Sequence, residues 1–230
     1  MRNVINKGLT EEDIMGGASQ AFEGGWTKVK LYFMLGLPTE TEQDMKEIAH
    51  LCEKVARKYY EIPKDQRNGK CQITASSSFF VPKPFTPFQW APMCTAEYTR
   101  RAHLVNDEFK AQLNRKSLKY NWHDANVTVL EGIMARGDRR IGKVIEEAYR
   151  LGCLFDSWTE SFRDDLWEKA FLNTGIEKEF YTLRTRDKNE LFPWDFIDTG
   201  VSRKFLRKEW ERAMNAEVTP NCREHCSGCG

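Results

Sequence analysis

No run of this sequence is apolar and uncharged over the about 20 residues that a membrane span needs; the longest, Leu31 to Leu37, falls far short. The N-terminus, MRNVINKGLTEED, lacks the apolar core of a secretory signal. There is no internal repeat and no low-complexity tract. An excess of either charge is missing too. Lys+Arg 35 against Asp+Glu 34 leaves a net charge of +1, which argues against a nucleic-acid binder working through bulk positive charge and against an acidic solvating tail. What is present is 40% hydrophobic and 12% aromatic residues in a chain of 230. That suffices for one large domain with an appendage and is too apolar for a disordered chain. The cysteines number seven, an odd count without a secretory signal. They point to a reducing, cytoplasmic setting with thiols or metal sites rather than to a disulfide framework.

Periodicity supplies the organisation. Thr10 followed by Glu11, Glu12 and Asp13 predicts a capped helix start with acids where the dipole favours them. Ile14, Ala18, Ala21 and Phe22 continue at helical spacing as far as Gly24-Gly25. The β-branched and aromatic run Lys28 to Met34 predicts a buried strand, broken by Gly36-Leu37-Pro38. Thr39 with Glu42 three residues on predicts a capping box for a long helix with Met45, Ile48, Leu51, Cys52, Val55 and Tyr59 on one face. Residues 62 to 70 read as a polar loop and Cys71 to Val81 as a second strand, which makes a βαβ unit with parallel strands. The segment PKPFTPFQWAP is too rich in proline for a central strand and reads as an extended aromatic loop. Thr95 is the expected cap of a helix carrying Tyr98, Ala102, Val105, Phe109 and Leu113, and Asn126 to Leu130 the expected third strand. Three helices follow, one over Ile141 to Leu151, one from Ser161 towards Gly175 and one capped by Ser202.

Two or three parallel strands leave both sheet edges and much apolar surface open. The expected fold class is therefore α/β, an incomplete (βα) barrel fragment made of the last parallel strands, followed by a mainly helical extension. A small three-stranded α/β domain complete in itself is the alternative. The expected divisions are 1–93 for the barrel portion, 94–218 for the helical extension and 219–230 for a cysteine-rich tail.

In parallel α/β folds, ligands sit at the carboxyl ends of the strands. The segment LYFMLGLPTET places a glycine and a helix start there. It is either a ligand loop, approached through Gly36 and the free helix amides, or a tight turn built from Gly, Pro and a Thr cap. With the amphipathic helix behind it, this segment resembles the fifth-strand region of radical S-adenosylmethionine (SAM) enzymes. CQITASSSFFVPKPFTPFQW resembles the sixth strand and exit loop of the same barrel. VPKPFTPFQW, WDFIDTGVSRKFL and TPNCREHCSGCG together are similar to a family that joins a cobalamin-binding-type domain to a radical SAM core and a C-terminal extension.

The resemblance implies a six-stranded partial barrel with a 4Fe–4S cluster and SAM at its carboxyl face. Reductive cleavage of SAM there gives a 5′-deoxyadenosyl radical that abstracts hydrogen from a substrate. It implies that Leu35, Gly36 and Leu37 lie along the SAM adenine. It also matches Glu40 to an acid of the superfamily pattern, although Glu40 falls four residues after Gly36 and not three. The other reading of Glu40 is a first-turn acid that stabilises the helix dipole. The Cys-x-x-x-Cys-x-x-Cys loop that holds the catalytic cluster in that superfamily does not precede Lys28. The implied partner is therefore an N-terminal half of the barrel, in the same full-length protein or a second chain, which would also supply any cobalamin. This chain alone is expected to be inactive.

Cys222, Cys226 and Cys229 have the same spacing by count, but they follow every predicted strand, whereas the radical site needs its loop on the barrel face. Closely spaced thiolates around Gly228 suit an auxiliary Fe–S cluster or a structural zinc, with His225 or a residue outside the chain as fourth ligand. A mobile reduced-thiol tail is the alternative. These cysteines also carry the rival to an enzymatic reading, a metal-binding or scaffold module holding zinc. Cys52, Cys71, Cys94 and Cys153 fall where buried, inert thiols are expected. His50, His103 and His123 show no paired-ligand spacing. The aromatic segment from Phe79 to Trp90 reads either as a wall that shields a radical from solvent or as a loop packed over the bottom or side of the barrel. No broad basic face marks a nucleic-acid partner.

Overall fold

Three parallel strands, β1 (Lys28–Leu35), β2 (Gln72–Phe79) and β3 (Leu118–Trp122), form a sheet in the order β1-β2-β3. Helix α1 (Glu11–Glu23) precedes the sheet, α2 (Glu42–Tyr60) connects β1 to β2, and α3 (Tyr98–Ala111) leads into β3. The computed structural model describes all residues, Met1–Gly230, and the chain splits into two units. The first is Met1–Phe80 with Glu97–His123, and the second is Val81–Ala96 with Asp124–Gly230. The first unit reaches past residue 93 because its third strand and the helix before it come after an excursion into the second unit.

Register and side-chain alternation decide what each face of the sheet carries. One face presents Val29, Leu31, Phe33 and Leu35, then Ile73, Ala75, Ser77 and Phe79, then Leu118, Tyr120 and Trp122. Helices α2 and α3 cover it. Met45, Cys52, Val55 and Tyr59 of α2 are buried, as are Tyr98, Ala102, Val105 and Phe109 of α3. Phe79 stacks on Tyr98 at 4.5 Å between ring centroids, and Phe109 on Tyr120 at 5.1 Å. Glu53 is buried on α2, and its carboxylate accepts from the Asn114 backbone and side-chain amides (3.0 and 2.8 Å) and from Arg57 (3.0 Å). Those bonds offset its loss of water. The opposite face carries Lys28, Lys30, Tyr32 and Met34, then Gln72, Thr74, Ser76 and Ser78, then Lys119 and Asn121. It is polar and in large part open to solvent, with Tyr32 76% exposed.

The second unit is helical: α4 (Ala125–Arg136), α5 (Ile141–Leu151), α6 (Asp164–Thr174), the single turn α7 (Glu179–Thr182) and α8 (Arg203–Met214). Ile133, Ile141, Val144, Ala148, Trp167, Ala170 and Phe171 form one core. Trp90, Phe192, Trp194 and Leu206 form another. Both α5 and α6 end on a left-handed glycine, Gly152 (φ 103°) and Gly175 (φ 63°), a conformation glycine adopts without a Cβ penalty.

Three local expectations are corrected. Asn126 to Leu130 is helix, not strand, because Asp124 accepts from the amides of Asn126 (2.8 Å) and Val127 (3.0 Å) and starts α4. The third strand is LKYNW instead, paired in register from Ile73↔Leu118 to Ser77↔Trp122. The cap of α2 is Thr41, boxed with Asp44, and not Thr39. The cap expected at Thr95 falls two residues later, at Glu97, with α3 starting at Tyr98 and Thr95 in a preceding 3-10 turn.

Candidate functional site at the carboxyl end of the sheet

At its carboxyl end β1 runs into Leu35-Gly36-Leu37-Pro38-Thr39-Glu40-Thr41. Gly36 sits at φ 87°, a left-handed geometry that costs any residue with a Cβ about 1–2 kcal/mol. Thr39 is also left-handed, at φ 67°, an uncommon state for a β-branched residue and one that persists only where the surroundings enforce it. Glu40 is that enforcement. Its carboxylate, 2% exposed, accepts from the Gly36 amide at 2.8 Å and from Arg101 of α3 at 2.6 Å. Its own amide donates to the Leu37 carbonyl at 3.2 Å. Arg101 reaches Glu97 as well, at 2.9 Å. Burial lifts the Glu40 carboxyl above its ordinary range, opposed by the Gly36 amide and the Arg101 guanidinium.

Beneath the turn lie two more polar groups. Ser77 Oγ and Tyr120 Oη are buried, and neither makes a geometrically sound hydrogen bond. Burial pushes the Tyr120 phenol up to about 12, against a lowering by the Ser77 hydroxyl and with a further lift from the charge of Glu40.

The structure gathers Leu35, Gly36, Leu37 and Glu40 in one turn. The side chains of Leu35 and Leu37 point into the core, and the Gly36 amide is committed to Glu40. A ligand at this end therefore meets the backbone of the turn. Glu40 lies before the helix cap, not in the first helical turn, so its part is to lock the turn. Sequence reasoning missed Arg101, whose partner lies 61 residues away. The only local signal was the helical spacing of Glu97 and Arg101.

The terminal cysteines are placed differently. Cys222, Cys226 and Cys229 are exposed free thiols in the second unit, and no group of three or more His, Cys, Asp or Glu side chains is arranged to hold a metal. The tail nonetheless has a defined path. Thr219 donates to Glu209 (2.6 Å) and accepts from Arg212 (2.8 Å), and the Cys229 carbonyl accepts from the Ser202 amide (2.6 Å). As placed, the three thiols do not form the ligand set of an Fe–S cluster or a zinc ion. The aromatic loop is also in the second unit. Trp90 packs in its core, and Gln89 accepts from the Trp194 indole at 2.9 Å.

Against known proteins, an uncharacterised protein of Methanocaldococcus jannaschii is 28% identical over 182 residues, covering 75% of this chain. The chain spans 37% of that protein's length. No protein-family model and no solved structure matches.

Proposed function

We propose that this chain is the carboxyl-terminal part of a radical SAM iron–sulfur enzyme. The observation that carries the reading is the polar, uncovered face of a parallel sheet whose other face is apolar and covered by helices. Parallel sheets ordinarily have both faces covered. A parallel sheet that keeps one face free of helices suits a barrel wall, with helices outside and the free face turned to the interior. The unpaired outer edge of β1 supports the same reading, as does the greater length of the archaeal relative.

On this reading β1 and β2 are the fifth and sixth strands of a six-stranded partial barrel, and β3 extends the sheet by one strand beyond them. The 4Fe–4S cluster and SAM belong to the complete protein, as does cobalamin where it is used, and SAM bound there supplies a hydrogen-abstracting radical. Residues of this chain do two things. Glu40 and Arg101 fix the shape of the turn at the carboxyl end, so that its backbone forms a wall of set geometry. Tyr32, Ser76 and Ser78 give the interior a polar lining next to that end. No step is assigned to Cys222, Cys226 or Cys229.

Anaerobic reconstitution with iron and sulfide, followed by SAM and a reductant, tests this. The chain alone is expected to give no 5′-deoxyadenosine, and a longer protein containing the preceding strands is expected to give it. Turnover by this chain alone would place the cluster on the terminal cysteines. Absence of turnover from both, with zinc and no iron in the anaerobically purified chain, would favour a structural metal module and end the proposal.

A further inference from the structure

The open face of the sheet carries three lysines and no acid. Lys28, Lys30 and Lys119 share it with Gln72, Thr74, Ser76, Ser78, Tyr32, Met34 and Asn121. All three lysines are exposed, and none makes an ion pair. Lys30 and Lys119 stand in register on either side of Thr74, in the row Lys30↔Thr74↔Lys119. Two strand spacings put their backbones about 10 Å apart, within which two lysine stems can bring both ammonium groups over the central strand. Thr74 between them is only 7% exposed. Its hydroxyl oxygen accepts from the Gln72 amide at 3.3 Å. Since that bond occupies a lone pair, the hydroxyl hydrogen remains to donate.

We propose that Lys30, Thr74 and Lys119 form a binding site for a small oxyanion, a phosphate or carboxylate group of a metabolite. Edge-strand lysines alone would serve to prevent strand pairing with other sheets, but that role does not need a buried hydroxyl donor centred between two unpaired ammonium groups. Compact ammonium charges with a neutral donor between them suit a tetrahedral or planar oxyanion. That the anion is one end of the substrate rests on the radical SAM reading. It would then lie towards the amino end of the strands, with the reacting part of an elongated substrate extending along Tyr32 and Ser76 to the Gly36 turn.

The test is a titration of the 15N-labelled chain with inorganic phosphate, and separately with acetate, at constant ionic strength set with sodium chloride. Saturable shifts at the amides of Lys30, Thr74 and Lys119 are expected in the millimolar range with at least one of the two anions. Lys30→Ala and Lys119→Ala should each weaken binding several-fold, the double variant should abolish it, and Thr74→Val should weaken it without altering the melting curve. The better anion identifies the ligand's headgroup. Non-saturating shifts, equal shifts at the exposed lysines of α8, or full affinity in the double variant would overturn the site. Phosphate and acetate binding lost in the longer protein would show that its own acids fill the cradle, and would overturn the substrate assignment. Neither outcome depends on SAM cleavage, so failure of the site and failure of the enzymatic reading are told apart.

Discussion

Among single residues, Glu40 bears the most argument, since one carboxylate ties a left-handed glycine, a strained threonine and a distant helix together. Removing its counter-charge should be costly and pH-dependent. In Arg101→Met the buried carboxylate keeps only the Gly36 amide, so its pKa rises further. A carboxyl whose folded pKa is raised loses stability as pH climbs from the unfolded value, near 4.5, towards the folded one. The variant should therefore be close to wild type in urea stability at pH 4 and about 3 kcal/mol worse at pH 8; an equal deficit at both values would refute the coupling. The thiols offer a second residue-scale contrast. Burial pushes Cys52 up to about 12 and Cys71 up to about 11, whereas Cys222, Cys226 and Cys229 are exposed. Iodoacetamide at pH 8 should label the three tail thiols in minutes and Cys52 and Cys71 only after unfolding, as peptide mass spectrometry would read. The position of Glu40 could be read from the sequence, but its role could not, because Arg101 joins it through a contact that no local pattern encodes.

At the scale of elements, capping outweighed composition. The run Asn126 to Leu130 holds two valines and a threonine, and on propensity it reads as a strand. The Asp124 carboxylate holds two backbone amides and starts a helix there instead. Asp124→Ala should cost about 1 kcal/mol, the usual value of an N-cap, measured as a drop in the urea midpoint with the slope unchanged. No loss would mean that packing of Ile133, not the cap, fixes α4. The third strand escaped notice for the opposite reason. LKYNW is short and half polar, and it is held by in-register pairing with β2 and by the stacking of Phe109 on Tyr120. The long, regular apolar face of α2 was legible: each of Met45, Ile48, Leu51, Cys52, Val55 and Tyr59 is buried as its spacing implied, whereas Leu113, expected on the helix before β3, lies past the end of α3 and is exposed. The Pro-rich aromatic segment was legible as a loop but not as a core element, since Phe192 and Trp194, which pack on Trp90, lie about a hundred residues further along.

For the molecule as a whole, the decisive property is the asymmetry of the sheet. Its central strand, β2, is hydrogen-bonded on both sides, whereas β1 is bonded on one side only. Every second amide of β1 therefore faces outward, and such groups exchange with solvent unless another strand covers them. In the isolated chain, deuterium uptake over Lys28–Leu35 should be several-fold faster than over Gln72–Phe79. In a longer protein that supplies a neighbouring strand, the outward amides of β1 should become as slow as those of β2, while β3 keeps its rate if its outer edge stays open. This pattern separates the alternatives more directly than activity does, because it needs neither iron nor substrate. A self-sufficient domain predicts the same uptake over β1 in both proteins. A barrel wall predicts protection confined to β1 and to the lining residues that a new neighbour would cover, Lys30 and Tyr32 among them.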